Sequence, residues 1–290
     1  MLLTKLTIVI LNYNSRFWVQ KCLQSLQAEY LRHTHHQVKV VVVDNHSQDG
    51  SPKLIKKEFP WAELIELENN VGFSAGNNVA LSRVESEYVM LLNSDTELTN
   101  TTNLDKLIQF MDKHEQAAVV TPKVLLPSGE LDWASHRGEP ALWAAFTYYA
   151  GLEKRWPQIK KFSQYHQAYL DLNSVHQIDA CSGAAILIRT KHMNQVGLLD
   201  ERFFMYAEDL DWCKRFREAG YQIWFMAEVE IIHHKYKSGI KTQSPLTSLQ
   251  SKRHFYNTML QYYDKHYQER YPGLVRWILR VFLFIKKGGM

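Results

Sequence analysis

The chain is short of the features that mark several common classes of protein. Its three cysteines, Cys22, Cys181 and Cys213, sit far apart in the sequence with no CxxC pair. That spacing fits reduced thiols in a cytosolic protein better than a disulfide scaffold or a zinc site. No uninterrupted apolar run reaches the roughly 18 residues that the length rule for a membrane-spanning helix requires. The opening MLLTKLTIVILNYNS has an apolar run, but polar residues interrupt it at once and no cleavage-site pattern follows. It reads as a first strand, not a signal peptide. G-x-G-x-x-G and G-x-x-x-x-G-K-[ST] are both missing, so neither a dinucleotide fingerprint nor a phosphate-cradling loop is available. There is no internal repeat and no low-complexity linker. Excess charge is small, +4 over 290 residues, too modest to suggest a nucleic-acid partner.

What is present is globular: 46% apolar and 22% charged residues, enough for a sizeable core. Leu6 to Leu11 (LTIVIL) and Val38 to Val43 (VKVVVV) are continuous β-branched runs, as in strands buried on both faces of a parallel sheet. Between them, Trp18, Cys22 and Leu26 fall at helical spacing, with Asn14 or Ser15 placed to cap. Then come the turn DNHSQDGS, a short helix, the strand AELIEL, the loop ENNVGFSAGNN, a helix, and the strand EYVMLL. A helix over 104–113 and the strand AAVVTPKVLL follow. This alternation predicts right-handed crossovers and an α/β fold, a doubly wound, mostly parallel central sheet flanked by helices. Residues 129–177 are less regular and rich in Trp, Tyr and His. DACSGAAILIRT reads as a strand interrupted by Gly183, AEDLDWCKRFREAG as an amphipathic helix closed by Gly220, and YQIWFMAEVEIIHH as late strands. Residues 241–290 form a C-terminal helical appendage broken at Pro272-Gly273, behind a single catalytic unit over 1–240.

Ligands of doubly wound sheets bind beyond the carboxyl ends of the strands. Three such ends are unusually polar here: LNYNS, VVVDNHSQDGS and LLNSDTE. Each alone has a plain reading as an Asx-turn around Asp44 or Asp95. Three converging on one edge suggest a site. A nucleotide there, without a glycine-rich cradle, would need a divalent cation on carboxylate oxygens to neutralise its phosphates.

TIVILNYNS…CLQSL, VVVDNHSQDGS, NNVGFSAGNNVAL, YVMLLNSDTEL, CSGAAILIRT…VGLLDERFFMYAEDLDWCKRFREAGY and IIHHKYKSG occur in this order. Together they closely resemble the family 2 inverting glycosyltransferases, particularly the rhamnosyltransferase-like branch, over 7–239, about four-fifths of the chain. The resemblance implies a GT-A fold with a nucleotide-sugar-binding half, about 1–100, and an acceptor-binding half, about 101–240. It places Asn12 and Asp44 on the nucleoside, Asp44 accepting from the pyrimidine N3–H, and Gly72, Phe73 and Asn77 in a loop that closes over the base. Asp95 matches the last acid of the family's D-x-D motif and would hold Mg²⁺ or Mn²⁺ against the diphosphate. Asn93 stands where that motif has its first acid, which leaves one charge fewer. A late histidine serves as a second metal ligand in some relatives, and His233 matches it better than His234, because Ser238 then falls at the family's spacing.

Glu208 and Asp209 resemble the acidic pair that opens the family's acceptor-side helix, with Asp209 at the position of the general base. The chemistry requires such a group: a sugar hydroxyl attacking an anomeric carbon must lose its proton to a carboxylate within hydrogen-bond reach. Asp211 lies about 200° further round the helix and would not share that duty. Without the other motifs, AEDLD is a helix N-terminus carrying favourable negative charge. Gly183 and Ala184 match the small residues beside donor sugar and acceptor. HRGEPALW and the aromatics from Trp133 to Tyr169 offer stacking surface for an acceptor glycan, or plain core material.

In the last segment, Arg276, Arg280 and Lys287 share one helical face opposite Leu274, Ile278, Phe282 and Ile285. That is the pattern of an interfacial helix attracted by anionic lipid, or of a packed helix with solvated cations. The expectation is therefore an inverting, metal-dependent transferase that moves L-rhamnose from dTDP-rhamnose to a hydroxyl of a bacterial surface or lipid-linked glycan. It would be cytoplasmic, with peripheral contact on the inner face of the membrane. UDP-linked hexoses are the alternative donors, since uracil and thymine present the same N3–H and carbonyls. A non-catalytic nucleotide-sugar- or glycan-binding protein is the alternative of a different class.

Overall fold

The computed structural model describes residues 4–235, 245–271 and 273–286. The first half alternates as expected: β1 (Leu6–Asn12), α1 (Arg16–Leu26), β2 (Val38–Asp44), α2 (Ser51–Glu58), β3 (Glu63–Glu66), α3 (Gly72–Leu81), β4 (Tyr88–Leu92) and the two-residue β5 (Thr96–Glu97). Then follow α4 (Asp105–Lys113), β6 (Ala117–Leu125), α5 (Leu142–Tyr149), α6 (Leu152–Arg155), β7 (His176–Ile178), β8 (Ala185–Arg189), α7 (Thr190–Val196), α8 (Glu208–Glu218), β9 (Gln222–His233), α9 (Pro245–His266) and α10 (Gly273–Lys286).

Among the described residues the strands make one sheet in the order β3-β2-β1-β4-β8-β6-β9-β5, with β7 also on β9. β3, β2, β1 and β4 are parallel; β8 runs against both β4 and β6, and β6 and β9 are again parallel. The expected mostly parallel, helix-flanked sheet is borne out, with β8 and the short β5 and β7 running against the other strands. Both faces are covered, as the unbroken apolar strands require. Leu6, Ile8 and Ile10 of β1 point into one core with α1, α2 and α4; Val9 points into the other with α3, α7 and α8. A third cluster packs Tyr262, Tyr263 and Tyr267 of α9 and its C-terminal turn on Phe203 and Ala207, with Val275 and Leu279 of α10 against it. No described helix is long and apolar enough to cross a membrane.

Several local expectations shift. Ser15 occupies the N-cap of α1 but its side chain makes no capping bond; Asp49 Oδ2 takes the Arg16 N–H at 2.7 Å instead. The glycine-rich stretch after Val71 is helical from Gly72 onward, so Gly72, Phe73 and Asn77 lie in the opening turns of α3 and not in a loop. The irregular 129–177 segment contains α5 and α6. Cys181 and Cys213, remote in sequence, have their sulfurs 4.0 Å apart as buried free thiols. On α10, Arg276 is paired with Asp264 at 2.6 Å and Phe282 packs on Tyr149 with ring centroids 5.0 Å apart. The free cationic and apolar faces therefore differ from those read off the sequence. Lys287, Ser238 and the Ile285 side chain lie outside the described residues.

Gly72 sits at φ +88°, and a Cβ there would come 2.5 Å from the Phe204 carbonyl oxygen and 2.6 Å from its ring. The same carbonyl accepts the Phe73 N–H at 2.7 Å, and Ser74 Oγ donates to the Phe203 carbonyl at 2.6 Å. The start of α3 thus pins the loop that leads into α8. Gly72→Ala combines left-handed strain with a backbone clash and is expected to cost about 2–4 kcal/mol. Urea denaturation of the two proteins measures it; equal midpoints would show that the contact yields freely.

Candidate active site

The short strand β5 brings the first two candidate residues together. Thr96 lies opposite His233 in antiparallel register, and the His234 N–H donates to the Asp95 carbonyl at 2.8 Å. As a result Asp95 Oδ1 is 3.2 Å from His233 Nε2, while Asp132 Oδ2 is 3.0 Å from Nδ1 of the same ring. The other Asp132 oxygen accepts from Lys235 Nζ at 2.6 Å. Asp95, Asp132 and His233 are all buried. Burial alone would lower the pKa of His233; hydrogen bonds to Asp132 and Asp95 outweigh it and raise the value to about 9. Burial likewise works against the Asp132 carboxylate, but His233 and Lys235 hold it well below the usual carboxylate range. His234 turns away, bonded to Glu97 at 2.6 Å with its ring tilted against Trp18, centroids 4.5 Å apart.

Among the described residues no group of three or more His, Cys, Asp or Glu makes a ready metal cage. The donor set nevertheless fits Mg²⁺ or Mn²⁺, which is bound in phosphate-handling sites by one or two protein ligands plus substrate oxygens and water. Asp95 and His233 offer one oxygen and one imidazole nitrogen side by side on the wall of a cavity of about 900 Å³. Asp132, on Nδ1, would hold the ring in the ligating tautomer.

Glu208 and Asp209 open α8 on the wall of the same cavity. Tyr206 and Ala207 just before them are both left-handed, at φ +71° and +65°. This costs of order 1–2 kcal/mol per residue and turns the helix start into the cleft. Arg137 donates to Asp209 Oδ2 at 2.6 Å and the Leu210 N–H to Oδ1 at 2.7 Å. Glu208 is buried with Oε2 unpartnered; burial first, then the adjacent Asp209 charge, push its pKa up to about 8. Asp211 is separate, held by Arg215 and His266 at 2.8 Å each.

Of the expected nucleotide contacts, Gly72, Phe73, Asn93, Gly183 and Ala184 line the cavity. Gly183 is small for a visible reason: a Cβ would lie 3.2 Å from the Phe73 ring. Asn12, Asp44 and Asn77 do not line it. Asn12 Nδ2 donates to Asp44 Oδ2 at 2.8 Å, Asp44 Oδ1 accepts the Ser47 N–H, and Asn77 bonds the Phe73 carbonyl within α3. These three sit beneath the surface and shape the loops above them. Tyr13, Asn45 and Asn70 face the space instead, Asn45 tying Asn70 and the Val71 N–H to the end of β2. The aromatic segment divides: Trp133, Tyr148, Tyr149, Tyr165 and His166 line the cavity, whereas Trp143, Phe146 and Trp156 lie on the outer surface.

Sequence reasoning missed Asp132 and Arg137. Asp132 has the local appearance of a cap on the turn 133–135, and bonds the Ala134 N–H. Arg137 lay in the quoted HRGEPALW without any spacing signal that ties it to Asp209, 72 residues away.

This architecture is GT-A-like. The fold is shared with the mannosyltransferase PcManGT from Pyrobaculum calidifontis, solved in complex with GDP-Man and Mn²⁺, at TM-score 0.61 over 97% of this chain and 69% of that one; identity is 16%, a likeness of fold alone. Residues 7–185 match the model of glycosyl transferase family 2, and the chain belongs to that family of enzymes. It is 26% identical over 286 residues, 95% of its length and 89% of the relative's, to N-acetylglucosaminyl-diphospho-decaprenol L-rhamnosyltransferase of Mycobacterium tuberculosis. It is 25% identical to rhamnosyltransferase WbbL of Escherichia coli K12 over 78% of this chain and 82% of that one.

The charges set a pH dependence of stability. His233 rises from 6.5 to about 9 on folding, so its contribution is full below about pH 6.5 and lost as pH rises through 9. Glu208 rises from 4.5 to about 8, so the folded state is penalised progressively as pH climbs through that interval. Both signs agree. Without divalent cation, the urea midpoint should fall between pH 6.5 and 9, with up to about 3 kcal/mol carried by His233. His233→Gln should flatten that limb, and an unchanged slope would contradict the charged histidine.

Proposed function

We propose that this enzyme is an inverting, metal-dependent glycosyltransferase that moves L-rhamnose from dTDP-rhamnose to a hydroxyl of a growing surface or lipid-linked glycan. The observation that carries the reading is the acid pair Glu208–Asp209 on the same cavity as Asp95 and His233. A direct displacement needs those two ends: a base for the incoming hydroxyl and positive charge for the departing diphosphate. The rhamnosyltransferase relatives support the sugar.

In this scheme Asp209 takes the acceptor proton. Arg137 and the Leu210 N–H fix its carboxylate, each leaving a lone pair on the oxygen it holds. Glu208, whose pKa near 8 keeps it largely protonated at neutral pH, presents an O–H that can bond a sugar hydroxyl beside the base. Asp95 and His233 would hold Mg²⁺ or Mn²⁺, whose charge offsets that developing on the leaving diphosphate. Tyr13, Asn45 and Asn70 offer polar and stacking contacts for the nucleoside, over the Asn12–Asp44 pair. Trp133, Tyr148 and Tyr165 offer aromatic faces for an acceptor sugar. The UDP-hexose alternative uses the same residues.

Asp209→Asn should leave donor affinity within a few-fold and lower transfer about 10²–10⁴-fold, measured by released nucleotide and by calorimetry. Transfer at the wild-type rate would remove Asp209 as the base. A purely binding protein would show no turnover in either form. EDTA should abolish transfer and Mn²⁺ or Mg²⁺ restore it; full activity in EDTA would eliminate the metal role of Asp95 and His233.

A further inference from the structure

α10 has two apolar stripes and uses only one. Val275, Leu279 and Leu283 face the body of the protein, the first two against the α9 tyrosine cluster. Leu274, Trp277, Ile278, Val281 and Phe284, at helical spacing on the other side, are exposed, Leu274 by 65% and Trp277 by 62%. The strip does not end at the helix. Phe282 contacts Tyr149 of α5, and α5 carries the exposed Trp143 and Phe146, whose rings lie 5.6 Å apart. Trp143 Nε1 donates to the Lys161 carbonyl at 2.7 Å, joining α5 to the next stretch, where Trp156 and Ile159 are also exposed. Isolated apolar residues on a surface are ordinary, but a contiguous band of this extent marks an interaction site.

The charge along this band has one sign. Lys154, Arg155, Lys160 and Lys161 are exposed around Trp156 and Ile159, and Arg280 borders the α10 stripe. The one acid in 143–161, Glu153, is buried, accepting the His166 N–H at 3.0 Å. Aromatic and aliphatic side chains rimmed by lysine and arginine suit the interface of an anionic bilayer. A second copy of the chain would set cations against cations. The inner side of the same wall, Leu142, Ala145, Tyr148 and Tyr149 of α5 with Leu279 of α10, lines the cavity that holds Asp209.

We propose that α10 and the 143–161 segment together form a membrane-docking surface that seats the enzyme on anionic lipid with its acceptor cleft beside the bilayer. The lipid-linked class of acceptor thereby indicated rests on the transferase reading above. The surface itself does not, because it can be tested without turnover.

The test is sedimentation of the full-length protein with vesicles of phosphatidylcholine alone or with phosphatidylglycerol, at low and high salt. The protein should bind the phosphatidylglycerol vesicles and be released by salt. Lys160→Gln with Lys161→Gln, which leaves α10 intact, should weaken binding roughly 30-fold, and Trp277→Ala with Ile278→Ala at least tenfold. Absence of wild-type binding to either vesicle would overturn the proposal. So would wild-type binding by the lysine pair, which would confine the contact to α10, or a dimer in sedimentation velocity that Trp277→Ala with Ile278→Ala dissociates. All variants should transfer sugar to a short water-soluble acceptor at the wild-type rate. If the wild type itself fails to do so while binding vesicles, the fault lies with the transferase reading and not with the surface.

Discussion

The pairing of two residues of β5 with the end of β9 is the constraint on which the site depends. It closes a separation of 138 residues and sets an aspartate from the turn between β4 and β5 beside a histidine at the end of β9. Everything buried around that contact follows from satisfying it. Asp132 takes the second ring nitrogen and Lys235 takes Asp132, so the two carboxylates, the ring and the ammonium leave little net charge inside. A buried charge without such partners would cost several kcal/mol.

The acid pair is held by a different device. Its helix begins after two left-handed residues, a strained approach that persists because the preceding loop is bound to α3 through the Phe203 and Phe204 carbonyls. Arg137 then distinguishes two adjacent acids. Asp209 has an ion pair and an amide donor, whereas Glu208 has burial and a like-charged neighbour. Two carboxyls one residue apart thus have different partners, and it is Glu208 whose surroundings favour the protonated form.

The cavity joins these two ends and continues toward α5, α9 and α10, changing from polar to aromatic along the way. The 143–161 segment and α10, at its aromatic end, present apolar and basic residues outward. One wall therefore has its inner side on the cavity of Asp209 and its outer side at the surface, so under the proposed docking the acceptor's class and the protein's location become one physical question.

The strand runs, their order and the acidic opening of α8 were legible in the sequence, because β-branched blocks and helical spacing are local signals. Ordered motifs singled out Asp95, His233, Glu208 and Asp209, and the fold brings those four to one cavity. Local pattern could not show that Asn12 and Asp44 lie under the cleft while Tyr13 and Asn45 face it, because a one-residue step at a strand end reverses the direction of the side chain. Nor could it show Asp132 on His233, Arg137 on Asp209 or Cys181 beside Cys213: those contacts arise where distant segments cross. The outward face of α10 was decided the same way. Its sequence carries apolar residues on more than one side, and only packing against Tyr149 and the α9 tyrosines selects which stripe is buried and which is left free.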